Sequence, residues 1–318
     1  MNSPLEIYRY LPENKSEWDR FVRGSRNGTF LFLRDYMDYH ADRFPDFSLM
    51  VRQENGALFA VLPATLKDTT LSSHAGLTYG GFVYDEQMKT SSMLNLFDCL
   101  KSFLRQHEVT RVVYKPVPHI YHRIPSEEDL YGLFRNGAVV TRRDVSSTIQ
   151  LKNRLAFSKG RRYALKQAER NGLNVESSTD FKSFMDLESE TLEANHNIQP
   201  VHSGEEMTLL ATRFPDNIKL HLAYHDSEIV AGVITYETAR VAHAQYIAAN
   251  DRGKQMGALD RIINHLIESY GTAKEYFDFG ISTENNGTFL NAGLMANKES
   301  FGARAIVYDS YELEISSS

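Results

Sequence analysis

The 318 residues are 42% hydrophobic and 24% charged, enough chain for two domains of about 150 residues, each with its own core. The 35 Lys and Arg against 41 Asp and Glu leave a net charge of −6, which excludes the global basic field of a protein that grips nucleic acid with its whole surface, and sets DNA aside as a partner. Cys99 is the only cysteine, which excludes an intrachain disulfide framework, a Cys-rich zinc site and a CxxC redox pair, and favours a reducing, cytoplasmic setting.

The opening stretch, MNSPLEIYRYLPENKSEWDR, is polar and lacks the apolar core of a signal peptide. Nowhere do about 18 apolar residues run together. The chain is therefore expected to be soluble, unprocessed and free of membrane insertion. Residues 43–46 read RFPD, and SLMVRQENGALFAVLPA (48–64) follows as two apolar runs split by Glu54, Asn55 and Gly56, the pattern of a hairpin. A strand-like stretch, LSSHAGLTYGG (71–81), then leads to a helix in which Leu96, Phe97, Leu100, Phe103 and Leu104 share a face. RVVYKP (111–116) reads as a short strand, and Gly137-Ala138 opens the β-rich VVTRRDVSSTIQL. Cys99 sits one helical turn from Leu96 and Phe103 and reads as a core residue.

The second half repeats this order. RFPD recurs at 213–216, 170 positions on, and is followed by the hairpin IKLHLAYHDSEIVAGVITYE (218–237) and the strand VAHAQYIAA (241–249). Leu259, Ile262, Ile263, Leu266 and Ile267 then line one helix face, EYFDFG (275–280) is a short strand, and Gly302-Ala303 opens RAIVYDSYELEI. The chain is accordingly expected to be a duplicated α/β unit, cut into 1–148 and 149–318, each copy a mixed, mostly antiparallel sheet flanked by helices.

This element order resembles the GNAT N-acyltransferase fold. Two copies in one chain resemble the FemAB/FemX-like branch, whose members acylate amines with aminoacyl-tRNA or, in related acetyltransferase subfamilies, acyl-CoA. Three passages carry the resemblance: SKGRRYALKQAERNGLNVE (158–176), similar to the Arg-rich helix and following strand that open the second domain; AHAQYIAANDRGKQMGALDRIINHLI (242–267), at the place of the donor-binding strand, loop and helix; and FDFGIS (277–282) with NKESFGAR (297–304), similar to an Asp-Phe strand and a Lys, x, x, Phe-Gly step. The donor loop departs from the family's Gln/Arg-x-x-Gly-x-Gly/Ala pattern, because Gly253 and Gly257 are four apart.

The resemblance implies an N-acyltransferase with acetyl-CoA or another acyl-CoA as co-substrate and an amine of a small molecule, sugar or cell-envelope precursor as acceptor. Aminoacyl-tRNA is the alternative donor, and a non-catalytic module that binds a phosphorylated ligand is the alternative to catalysis. Arg252, Gly253, Lys254, Gly257 and Ala258 are the donor-binding candidates, since free N–H groups at a helix start favour negative charge. Arg161, Arg162 and Lys166 belong to a one-sided basic window suited to phosphates, in which Arg162, Lys166 and Arg170 share a helix face. With Glu284 and Lys298 from the loop and step after the 275–280 strand, Arg161, Arg162 and Lys166 make up the substrate-binding candidates.

Direct acyl transfer needs a neutral amine, a proton acceptor and oxyanion donors, and no cysteine nucleophile. Simple alternation along 241–249 points His243, Gln245 and Ile247 one way and Ala244, Tyr246 and Ala248 the other. His243, Tyr246 and Asp278 are the catalytic candidates: Asp278, pointing away from Phe277 and Phe279, is expected either to have a raised pKa and act as base, itself or through a water, or to cap the following turn or pair with a helix arginine; backbone N–H groups of 244–248 are expected to hold the oxyanion and Tyr246 to protonate the leaving group. Glu188, Glu190, His196 and His202 lie on the acceptor side. No HxH or HExxH spacing calls for a metal. The first half, with Tyr79-Gly80-Gly81 and no basic loop, is expected to have lost donor binding and to serve as scaffold and acceptor wall, with His74, Tyr79 and Lys115 lining the inter-domain groove.

Overall fold

The computed structural model describes residues 4–196 and 199–316, apart from the side chains of residues 195 and 196. The acceptor-side candidate His196 therefore lies outside the described residues. The chain divides into two units, Met1–Asp144 with Asn285–Thr288 and Val307–Ser318, and Val145–Glu284 with Phe289–Ile306. Two contiguous halves cut at 148 were expected. The first unit instead takes back the last strand, because that strand hydrogen-bonds to it.

The first unit runs β1 (Leu5–Arg9), α1 (Lys15–Gly24), α2 (Arg34–Met37), β2 (Leu49–Gln53), β3 (Leu58–Leu62), β4 (Thr65–Lys67), β5 (Thr70–Ser72), β6 (Val83–Tyr84), α3 (Thr90–Gln106), β7 (Arg111–Tyr114) and α4 (Glu128–Arg135). Strand β8 (Val139–Gln150) then passes into the second unit, which continues with α5 (Lys159–Arg170), β9 (Asn174–Ser178), α6 (Phe181–His196), α7 (Gly204–Arg213), β10 (Ile218–His225), β11 (Glu228–Glu237), β12 (Val241–Ala249), α8 (Asp251–Met256), α9 (Ala258–Tyr270), β13 (Tyr276–Ile281), β14 (Thr283–Glu284), β15 (Phe289–Leu290), α10 (Ala292–Glu299) and β16 (Arg304–Glu314). The end of β16 pairs with β7, Tyr311 opposite Tyr114 and Glu314 opposite Arg111.

In the second unit the described strands lie in the order β8-β13-β12-β11-β10-β9. The hairpin β10–β11 closes through Asp226 and Ser227, both at positive φ, as a two-residue turn requires. Helix α9 covers one face of the sheet: Ile262, Ile263, Leu266 and Ile267 are buried with Val233, Ala242, Ala244, Phe277 and Phe279. Each of the larger side chains, the Ile, Leu, Val and Phe, contributes about 1.5–3 kcal/mol by leaving water. Helix α6 packs across β12 and β11. Its Phe184 ring lies over Gly232 so closely that a Cβ there would come within 2.4 Å of it.

The first unit shows the same pairing with one interruption. Hairpin β2–β3 matches β10–β11. Strand β12 runs unbroken beside β11 and lies parallel to β13. Its counterpart is two strands: β5, antiparallel to β4 and parallel to β7, and β6, antiparallel to β3. The expected strand 71–81 is therefore mostly loop. His74, Tyr79 and Lys115 are drawn inward instead of lining a groove: His74 and Tyr79 are buried, and Lys115 Nζ donates to the carbonyls of His74 and Leu77.

Candidate active site

Two irregularities in β12 make the site. First, Ile234 pairs with Tyr246 but Thr235 with Ala244, so Gln245 is an extra residue, a β-bulge. Simple alternation fails past this point. Ala242, Ala244, Ile247 and Ala249 belong to the α9 core, whereas His243 and Tyr246 turn to the α6 face. Second, β12 and β13 stay in register only from Val241↔Tyr276 to His243↔Asp278 and then separate. Beyond that vertex the β12 N–H groups on this edge are freed from the β12–β13 ladder, which suits them to an oxyanion.

On the α9 side this opening leads into a cavity of 450 Å3, lined by Ile247, Phe279, Leu294 and Phe301 together with Arg161, Lys254, Asp260 and Lys298. Gly253 and Gly257 form part of its wall. Three cations face one carboxylate here, and that carboxylate, Asp260, is held by Arg161 at 3.1 and 3.2 Å, so the cavity favours an anionic ligand. Arg161 also donates to Ser300 Oγ and lies 4.3 Å over the Phe301 ring. Gly257 links α8 to α9 at a φ of 75°, and a Cβ there would sit 2.8 Å from the Ala164 carbonyl of α5, so only glycine fits without a shift.

At the vertex stands a dyad. Asp278 is fully buried and accepts hydrogen bonds from Ser146 Oγ (2.6 Å), Thr148 Oγ1 (2.6 Å) and His243 Nδ1 (2.7 Å). Burial acts to raise its pKa, but the bond and charge of His243, with the two hydroxyls, prevail and hold it below the usual carboxylate value. It is thus an ionised orienter and not the raised-pKa base expected from sequence. An acceptor-only carboxylate fixes the proton of His243 on Nδ1 and leaves Nε2 as the basic nitrogen.

Lys298, also buried, donates to the carbonyls of Gly280 (2.9 Å) and Ile281 (2.7 Å) at the end of β13. Burial pushes its pKa down to about 8, against the pull of Asp278. Tyr246, on the α6 face, is hydrogen-bonded to His202, which follows α6, so the two sit on the side of the sheet away from the cavity.

The remaining candidates are dispersed. Of the stretch 252–258, expected as an anion-holding loop, residues 252–256 lie in the short helix α8, capped by Asn250, whose Oδ1 takes the N–H of Gly253. Arg252 turns to Asp226 and Glu228 at 2.9 and 3.0 Å and does not line the cavity, while Lys254 does, with Asp251 3.1 Å away. Ala258 is buried at the start of α9. Arg162 and Lys166 are exposed on α5, and Arg162 donates to the Phe157 carbonyl. Glu284 is exposed in β14 and accepts from Asn291. Sequence reasoning missed Ser146, Thr148 and Asp260; the run of three small hydroxyl residues in β8, SST at 146–148, was the available signal. Among the described residues no group of three or more His, Cys, Asp and Glu is placed to hold a metal ion.

Comparison with known proteins agrees with this geometry. Residues 156–286 match the family model of the acetyltransferase (GNAT) domain. The chain has a tandem GNAT fold. A crystal structure of FemX superposes with a TM-score of 0.68 at 12% identity, covering 96% of each chain. A tandem GNAT protein from the clavulanic acid biosynthesis pathway gives 0.53 at 13% identity, covering 99% of this chain and 100% of that one. The C-terminal domain of a putative lysylphosphatidylglycerol synthetase from Agrobacterium fabrum gives 0.55 at 14%, covering 83% and 82%. No curated protein matches by sequence. No described helix is long and apolar enough to cross a membrane.

Proposed function

We propose that the second unit is an N-acyltransferase that takes its acyl donor, an acyl-CoA, in the α9-side cavity and its amine acceptor on the α6 face. The observation that carries this reading is the His243–Asp278 dyad at the vertex where β12 and β13 separate and open on that cavity. The cationic wall of Arg161, Lys254 and Lys298 suits the phosphates of the donor, and Ile247, Phe279 and Phe301 suit its acyl chain and linker.

The amine nitrogen attacks the acyl carbonyl and a C–N bond forms. His243 Nε2 accepts the proton that the nitrogen must lose, and Asp278 stabilises the resulting imidazolium. The carbonyl oxygen becomes an oxyanion against the freed N–H groups of β12. The C–S bond then breaks, and Lys298, which faces the cavity and has a proton to give near neutral pH, neutralises the leaving thiolate. This is the part given to Tyr246 from sequence, and the bulge makes Tyr246 unsuited to it. One observation favours an aminoacyl-tRNA donor as a second reading: Arg162, Lys166 and Arg170 form an exposed cationic face on α5, the helix whose Arg161 enters the cavity.

The test is thiol release from acetyl-CoA across a panel of primary amines, with calorimetry for the donor. His243→Ala should lower turnover at least 100-fold and leave acetyl-CoA affinity within threefold of wild type. Full turnover by that variant sinks the assignment of the base. Acetyl-CoA that does not bind the wild type even at millimolar concentration rejects it as donor in favour of charged tRNA.

A further inference from the structure

Glu188 lies on α6 one turn beyond Phe184 and Met185, on the helix face that packs across β12. It is only 7% exposed. Neither a hydrogen bond nor an ion pair reaches it from any described residue, and burial alone pushes its pKa up to about 7. Burying a carboxylate without a partner is costly, and folded chains ordinarily neutralise such a group with Arg, Lys or a hydroxyl. Two other buried carboxylates of this unit show that rule at work: Asp260 has Arg161, and Asp278 has His243, Ser146 and Thr148.

The sheet face beneath α6 is the one to which His243 and Tyr246 turn. A carboxylate kept unpaired on that side is complementary to a cation brought by the ligand. His243 already provides for the nitrogen that must lose its proton, and Asp278 is already engaged by Ser146, Thr148 and His243. A second carboxylate on the same side, outside the dyad's hydrogen bonds, answers a second positive charge.

We propose that Glu188 is the recognition carboxylate of the acceptor site and that the acceptor is a diammonium-type amine, with one nitrogen that reacts and a second that stays protonated against Glu188. This rests on the acyltransferase reading, which places the acceptor on the α6 face.

The probes are putrescine, cadaverine and lysine methyl ester, each compared with n-butylamine by calorimetry and thermal shift on the full chain. Wild type should bind at least one of the three tenfold or more tightly than n-butylamine. Glu188→Gln, which keeps the shape and removes the charge, should bring that ratio below threefold, and Glu188→Asp should restore part of it. Glu193→Gln, an exposed position on the same helix, should leave the ratio unchanged. A wild type that shows no preference, or a Glu188→Gln protein that is folded by circular dichroism and keeps it, overturns the proposal. Failure of the acyltransferase reading looks different: no thiol release with any amine, whatever the state of Glu188.

Discussion

Asp278→Asn separates the orienting role of the dyad from any structural one. The asparagine keeps an oxygen for Ser146 and Thr148, each 2.6 Å from Asp278 Oδ1 in the wild type, and presents an NH2 group where Oδ2 meets His243 at 2.7 Å. Nδ1 of His243 must then accept, its proton moves to Nε2, and the nitrogen that should take the amine's proton is already occupied. Turnover should fall by about 10³ to 10⁴, or about 4–5.5 kcal/mol of activation free energy. Stability should change far less, because a charge-assisted hydrogen bond worth about 1.5–3 kcal/mol is exchanged for relief from burying an ion. The folded-state pKa of Asp278 lies below its ordinary value of 3.8, so the ion's stabilising contribution is complete above pH 3.8 and is lost as pH falls through the folded value. Asp278→Asn should therefore soften the acid limb of the stability curve and leave the neutral region alone. Thiol release at saturating amine, with acetyl-CoA calorimetry beside it, makes the measurement. Turnover within tenfold of wild type, or donor affinity that drops in step with turnover, would refute the dyad's role.

Lys298 and Gly257 test the donor side. The pKa of Lys298 falls from 10.5 to about 8 on folding, so the unfolded chain binds more protons between those values and wild-type stability should rise by up to about 3 kcal/mol from pH 8 to pH 10.5. Urea titrations of Lys298→Met should lack that rise, and its turnover should fall most for donors with poor leaving groups; an unchanged rise contradicts the burial of the ammonium. Gly257→Ala must place a Cβ against the Ala164 carbonyl at positive φ, which should cost about 1–3 kcal/mol by denaturant melt and weaken acetyl-CoA as α5 moves off the cavity wall. Unaltered stability and affinity would mean that this wall is not rigid.

The duplication was legible because hairpins and amphipathic helices announce themselves through periodicity: both RFPD segments, both hairpins, and the buried faces of α3 and α9 lie where the apolar pattern puts them. The second half was also legible as the half that resembles the GNAT domain, which is where the family model matches. Local irregularity was not. One extra residue at Gln245 exchanges the faces of Tyr246 and Ile247, and nothing in the composition of AHAQYIAAN distinguishes a bulge from plain alternation. The state of Asp278 was misjudged for a related reason. Its three donors come from β8 and β12, more than 30 residues away in sequence, and a carboxylate's pKa is decided by such partners rather than by its flanking phenylalanines. The basic window split in the same way, with Arg161 turned to the cavity and Arg162 and Lys166 to solvent.

The break in the first unit's strand explains in physical terms why two copies of one fold need not carry two sites. In the second unit the strands separate after His243↔Asp278 and the cavity follows. At the corresponding place in the first unit β5 ends at Ser72, and residues 73–82 fold back across the end of β7: Ser73 N–H bonds to the Val113 carbonyl, Gly80 N–H to the Lys115 carbonyl, and Phe82 N–H to the Tyr114 hydroxyl. A Cβ on Gly80 would lie 2.0 Å from the Ser73 carbonyl, so the segment closes only because residue 80 has no side chain. The N–H groups of this segment are thus spent on β7, whereas the β12 N–H groups beyond the vertex are freed from the β12–β13 ladder. A slot whose edge is already hydrogen-bonded by its own chain has no free donors or acceptors for a ligand. The first unit thus differs from the second by the break between β5 and β6, with the surrounding core of Leu96, Phe97, Leu100 and Tyr114 intact.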